Sequence, residues 1–228
     1  MRASINRIMI LLAALGSSAC AFAADASSLK LPRGAKAAIV MFEDLQCPDC
    51  ARADSMVREV AAAHKVPVLL YDFPLPMHNW AFDAAVWARY FDHISSDLGN
   101  DFRKFIYANQ IQVSRDNLPQ WAQRFAGENK IAVPLDKDKD KDKDPDGKLA
   151  ELVKADFALG QRIGVEHTPT IWVVGNGGVS QPLVEEVKDR DKLGQMIDDI
   201  LSKAQPVSAV TSPAQKKKPA AKTQKKAS

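Results

Sequence analysis

Ile39-Val40-Met41-Phe42-Glu43-Asp44-Leu45-Gln46-Cys47-Pro48-Asp49-Cys50 is an apolar, strand-like run that empties into a Cys-x-x-Cys. β-Branched and aromatic residues over this length read as a buried strand, and the Ala- and Arg-rich segment after Cys50 has helical periodicity. The cysteine pair therefore sits at a strand-to-helix junction. At a helix N-terminus, unpaired N–H groups and the positive end of the macrodipole favour an anion, so a thiol there ionises more easily than in water. Pro48 suits the first helical turn because it has no N–H to waste. Cys47 is thus expected to have a pKa depressed from ~8.5 into the range of about 3.5–7.5, which makes it the nucleophile. Cys50, one turn further in and expected to be less exposed, is placed to resolve a mixed disulfide.

The competing reading of a Cys-x-x-Cys is half a zinc site. Tetrahedral zinc needs two more ligands, yet no cysteine follows Cys50, and His64, His78, His93 and His167 are too widely spread to form a ligand pair. A redox pair is the reading adopted, with no metal.

The chain has 228 residues, 46% hydrophobic and 26% charged, enough apolar material for one sizeable core. Residues 1–23 have the parts of an export signal: basic Arg2 and Arg7, an apolar stretch from Ile8 to Leu15, and Ala21-Phe22-Ala23 as the cleavage site. The apolar stretch is too short to span a bilayer. Cleavage after Ala23 would remove Cys20 and leave Cys47 and Cys50 as the only cysteines, in an oxidising compartment, periplasmic or secreted. Ser17-Ser18-Ala19-Cys20 read as a lipoprotein site is the alternative, but Ser17 stands where such sites usually carry Leu. The net charge of +3 hides a division: the signal carries +2 and the tail from Ala204 +6, so residues 24–203 carry 3 − 2 − 6 = −5. An acidic body does not suggest a nucleic-acid binder.

Residues 24–35 read as a linker and 36–203 as the folded domain. Helix from about Pro48 to Ala63 and a second buried strand at Val66–Phe73 complete a βαβ unit with parallel strands. From His78 the pattern turns helical, with a helical insertion over about 78–160. His78–Asp92, Asp97–Gln110 and Asn117–Ala126 carry aromatics at three- and four-residue spacings, which read chiefly as core. Asp136–Asp144 alternates Asp with Lys, has nothing to bury and reads as part of a solvated loop over 136–146. Asp142, Asp144, Asp146 and Gly147 match the opening of a calcium loop, but Val153 stands where its bidentate Glu belongs. Lys148–Gly164 is helical again, its apolar spacing running through Leu149, Leu152, Val153, Phe157 and Ile163. A loop and strand over Thr168–Val174, a Gly175–Gly178 turn, a returning strand over Gln181–Val187 and a helix over Asp189–Ser202 close the domain. Residues 204–228, rich in Lys, Pro and Ala, read as a disordered tail and a solubilising extension. Weak contact with anionic surfaces is the less favoured alternative.

This order of elements, with Phe42-Glu43-Asp44-Leu45-Gln46-Cys47-Pro48-Asp49-Cys50 and Gly164-Val165-Glu166-His167-Thr168-Pro169-Thr170, resembles the DsbA-like branch of the thioredoxin superfamily. Phe73-Pro74-Leu75 with His78, and Asn109-Gln110, are similar to its secreted single-domain members. The resemblance implies an α/β thioredoxin fold with an inserted helical domain, acting as a thiol-disulfide oxidoreductase on thiol- or disulfide-containing exported polypeptides. It implies a cis Thr168–Pro169 bond whose backbone positions the substrate, and a membrane redox partner that resets the pair. No organic cofactor is required, because the sulfurs carry the redox equivalents. Two departures stand out. Asp49 replaces the His of the strongest oxidants, which should raise the Cys47 pKa and make the pair a milder oxidant. Met41 falls where many relatives carry a buried acid, and Glu43 and Asp44 are the candidate substitutes. The rival from another class is a non-catalytic peptide-binding or chaperone module of the same fold.

Overall fold

The computed structural model describes residues 26–133, 143–184 and 189–203. The quoted run supplies β1 (Ala37–Glu43), every residue of which is buried. It lies between two neighbours, as an uninterrupted apolar run must if both its faces are covered. On one side β2 (Val68–Asp72) pairs with it in parallel, Ile39 opposite Val68; on the other β3 (Thr170–Gly175) pairs antiparallel, Met41 opposite Ile171. β4 (Gly178–Val179) adds a short antiparallel edge, giving the order β2-β1-β3-β4.

The two faces of β1 feed two apolar layers. Ile39 and Met41 point toward α1 (Pro48–His64) and α6 (Arg190–Lys203), where Val57, Val60, Leu193 and Ile197 are buried. Val40 and Phe42 point the other way, onto Phe73, Trp172 and Ile163. Between β2 and β3 run α2 (Ala81–Ile94), α3 (Ser96–Asn109), α4 (Leu118–Glu128) and α5 (Lys148–Arg162). Phe91, Phe102 and Phe125 lock the first three together, with ring centroids 4.7–5.3 Å apart, and Phe105 and Trp121 are partly buried beside them. On α5, Phe157 stacks on Phe73 at 4.5 Å. Gly160 lets the helix approach, since a Cβ there would lie 2.6 Å from the Phe73 ring.

Four expectations are corrected. The second strand is a sheet edge, and its side chains along Val68–Tyr71 are only half-buried: Val68 and Leu70 pack on one layer, Leu69 and Tyr71 on the other. Among the described residues the returning strand pairs first at β4, ahead of the expected Gln181, and continues only as a bridge from Leu183 to Ile171. Leu152, at an apolar position of the α5 pattern, is exposed. The linker is partly structured: Ala26–Ser28 is one turn of 3-10 helix, and Ala26 and Leu29 are buried against the Phe42 layer. The export signal, most of the Asp/Lys alternation, the last residues of the returning strand and the basic tail lie outside the described residues. Asp144 caps α5, accepting from the N–H groups of Leu149 and Ala150. Among the described residues no three His, Cys, Asp or Glu side chains are grouped to hold a metal ion, and no helix is long and apolar enough to cross a membrane.

Candidate active site

Cys47 is the N-cap of α1, with φ −77° and ψ 120°, and Pro48 opens the first turn. Both cysteines are free thiols; Cys47 is 6% exposed and Cys50 fully buried. From across the fold the Thr168–Pro169 peptide, which is cis, comes up against the first sulfur, and Cys47 Sγ donates to the Thr168 carbonyl at 3.2 Å. The Cys47 pKa falls from 9.0 to about 6. The hydrogen bond from Cys50 contributes most; Thr168 and the backbone N–H groups of Cys50 and Asp49 add to it, while burial opposes. The Thr168 hydroxyl is buried and has no hydrogen-bond partner among the described residues. Burial drives the Cys50 thiol in the opposite direction, well above its ordinary value. One sulfur is therefore a thiolate at neutrality and the other a thiol.

Behind Cys50 lies a buried carboxyl. Glu43, at the end of β1 and on the same strand face as Met41, accepts from the Tyr107 hydroxyl at 2.8 Å and from Arg103 Nε at 2.9 Å, both on α3. Burial raises its pKa from 4.5 to about 7, against the opposing pull of Arg103. Its charge is in turn among the influences that raise Cys50. Arg103, itself buried, also grips Asp92 through both terminal nitrogens at 3.0 and 2.9 Å and faces Asp72 at 3.6 Å. Arg89 pairs with Asp72 and Asp156, and burial raises Asp156 to about 6. Asp44 is engaged differently. Its carboxylate accepts from the N–H groups of Gln46 and Leu75 and pairs with His78, each at 2.7 Å, while its own N–H points at Cys50 Sγ, 3.4 Å away. Gln46 accepts from Trp80 N–H at 2.9 Å. The loop after β2 is thus pinned onto the turn that leads into Cys47.

A Thioredoxin family model matches residues 33–199 of the sequence. The chain belongs to the thioredoxin family. No curated protein sequence matches it significantly. Among solved structures, this thioredoxin-family chain is similar to the thiol-disulfide exchange protein alpha-DsbA2 from Wolbachia pipientis, with 18% identity over 74% of this chain and 83% of that one and a TM-score of 0.58. A periplasmic thioredoxin-like protein from Salmonella enterica serovar Typhimurium gives 20% identity, coverage of 75% and 87% and a TM-score of 0.56. Pseudomonas aeruginosa DsbA2 gives 18%, coverage of 73% and 89% and 0.53. These likenesses establish a DsbA-like version of the thioredoxin fold.

Within that fold the structure brings Cys47, Cys50, Pro48, Thr168 and Pro169 together. Asp49 stands apart from the sulfur chemistry: its carboxylate is half exposed and pairs with Arg52, and what it offers Cys47 is its backbone N–H. The charge expected to raise the Cys47 pKa thus has a countercharge on the next turn of the same helix. Arg103 and Tyr107 are not singled out in the sequence, and His78 and Gln110 enter it only through the family resemblance, without a role. The signal for two of them was present: an arginine and a tyrosine, four residues apart, share the α3 face with Phe102 and Ile106, and a buried arginine demands a buried acid.

Proposed function

We propose that this thioredoxin-family chain is a thiol-disulfide oxidoreductase acting on exported proteins, with Cys47 as nucleophile and Cys50 as resolving thiol. The observation that carries this reading is the Cys47 sulfur at the mouth of α1, 3.2 Å from the Thr168 carbonyl that meets it from across the fold. In the reducing direction the Cys47 thiolate attacks a substrate disulfide, forming a mixed disulfide and expelling one substrate thiolate. Cys50 then gives up its proton and attacks Cys47 Sγ, closing the Cys47–Cys50 disulfide and expelling the second substrate thiolate. The oxidising direction is the same sequence reversed, begun by a substrate thiolate on the Cys47–Cys50 disulfide. Glu43, whose pKa of about 7 is matched to neutral pH, takes the proton from Cys50 and returns it. Thr168 and Pro169 present backbone groups against which an extended substrate segment lies as an added strand. The export reading rests on residues 1–23, and the Salmonella neighbour described as periplasmic agrees with it.

The test is a pair of variants assayed for insulin reduction and for oxidation of a dithiol peptide. Cys47→Ser is expected to abolish both activities, and Cys50→Ser to accumulate the mixed disulfide through Cys47. Retention of either activity by Cys47→Ser overturns the proposal.

A further inference from the structure

Three side chains on one face of α3 and its C-terminal cap, Arg103, Tyr107 and Gln110, follow each other at helical spacing and meet successive parts of the catalytic segment. Arg103 and Tyr107 take the two oxygens of Glu43. Gln110, the C-cap, takes the turn itself: its Nε2 donates to the Leu45 carbonyl at 2.8 Å and to the Cys47 carbonyl at 3.1 Å. The turn is tight, with Cys47 N–H donating back to the Asp44 carbonyl at 3.0 Å, and the Cys47 carbonyl also receives the first α1 bond, from Ala51 N–H at 3.2 Å. A single amide group from the insertion thus bridges the carbonyls on either side of residue 46 and sets how the Cys47 backbone enters α1.

We propose that Gln110 is a positioning residue for the Cys47 thiolate, holding the 45–47 turn in the orientation that aims the sulfur at the open amides of α1 and at Thr168. The argument is geometric. The sulfur is one rotatable bond from a backbone whose N-cap dihedrals decide whether the N–H groups of Asp49 and Cys50 reach it. Nothing within the 45–47 segment donates to the Leu45 carbonyl in the described hydrogen bonds; the donor comes from residue 110, 65 positions away. Removing it frees the peptide between residues 45 and 46 to rotate, and the sulfur moves with it.

This inference rests on the nucleophile reading above, and the experiment separates the two. The ultraviolet absorbance of the thiolate is titrated in the reduced full-length protein and in Gln110→Met, Gln110→Glu and Asn109→Ala. Among the described residues the Asn109 side chain hydrogen-bonds only to the Phe105 carbonyl within α3, so Asn109→Ala disturbs the same helix end without touching the turn. Gln110→Met keeps the shape and loses the donor. It is expected to raise the Cys47 midpoint by about one pH unit and so to slow alkylation at pH 6 by about five-fold. Gln110→Glu, which faces two carbonyls with an anion, is expected to raise it further, and Asn109→Ala to leave it in place. An unchanged midpoint in whichever Gln110 variant folds, even with lowered thermal stability, overturns the proposal and makes Gln110 a structural contact only. A midpoint near 8.5 in the unsubstituted protein overturns the nucleophile reading instead.

Discussion

Replacing Glu43 with Gln should make the protein's stability less dependent on pH. The side chain is isosteric, so the cavity between β1, α3 and Cys50 keeps its shape. Burial lifts the carboxyl from 4.5 to about 7, roughly two and a half pH units, and each unit is worth about 1.36 kcal/mol. The direction follows from proton binding. Between those values the folded protein holds a proton that the unfolded chain has released, so the contribution is fully present below pH 4.5 and is lost as pH rises through about 7. On this basis the unsubstituted protein should lose on the order of 3 kcal/mol relative to Glu43→Gln between pH 4 and pH 8. Asp156, the other carboxyl raised by burial, is present in both proteins and drops out of the difference. Denaturant unfolding of the two oxidised proteins at pH 4, 6 and 8 measures it. If the two stability curves run parallel to within about 0.5 kcal/mol across that range, Glu43 is not titrating near neutrality and its proton role fails. Glu43→Gln should at the same time slow resolution by Cys50, with the loss falling on the second step of the reaction.

Alkylation of Cys47 should rise with pH through a midpoint near 6, while Cys50 stays unreactive to the same reagent up to pH 8; equal labelling of both sulfurs in a stopped-flow alkylation series would contradict the assignment. Because the thiolate is more stabilised than one near 7 and less than one near 3.5, the reduction potential against glutathione should fall between about −270 and −120 mV. Asp49→Asn should move the Cys47 midpoint by less than about half a unit, since the carboxylate is half exposed and already paired with Arg52. Gly160→Ala should destabilise the fold by about 1–3 kcal/mol in thermal or denaturant unfolding, because the new methyl group would stand 2.6 Å from the Phe73 ring.

What could be read from the chain was whatever depends on neighbours in sequence. The strand ahead of Cys47, the proline at the start of its helix and the deeper burial of Cys50 than of Cys47 all follow from local pattern and helix-end electrostatics. The choice between Glu43 and Asp44 as the buried acid could not be read. It turns on which carboxylate the loop after β2 occupies, and His78 with the Leu75 N–H takes Asp44. The partner of Asp49 was missed for a related reason: its charge was weighed without the arginine three residues on. Strand β2 was hidden by its own composition, since Val68–Tyr71 looks the same whether a further strand lies beyond it or not.

The ion pairs and the amide bridge that α3 lends to the catalytic segment also bear on how this molecule can be re-engineered. Trimming the protein to a minimal sheet-and-two-helix scaffold would strip Glu43 of both its donors and leave the turn ahead of Cys47 unbraced, even though the Cys-Pro-Asp-Cys sequence stayed intact. Chimeras should therefore carry the strand, the turn and α3 as one transplantable cassette, with the exchange points placed in the connections outside it.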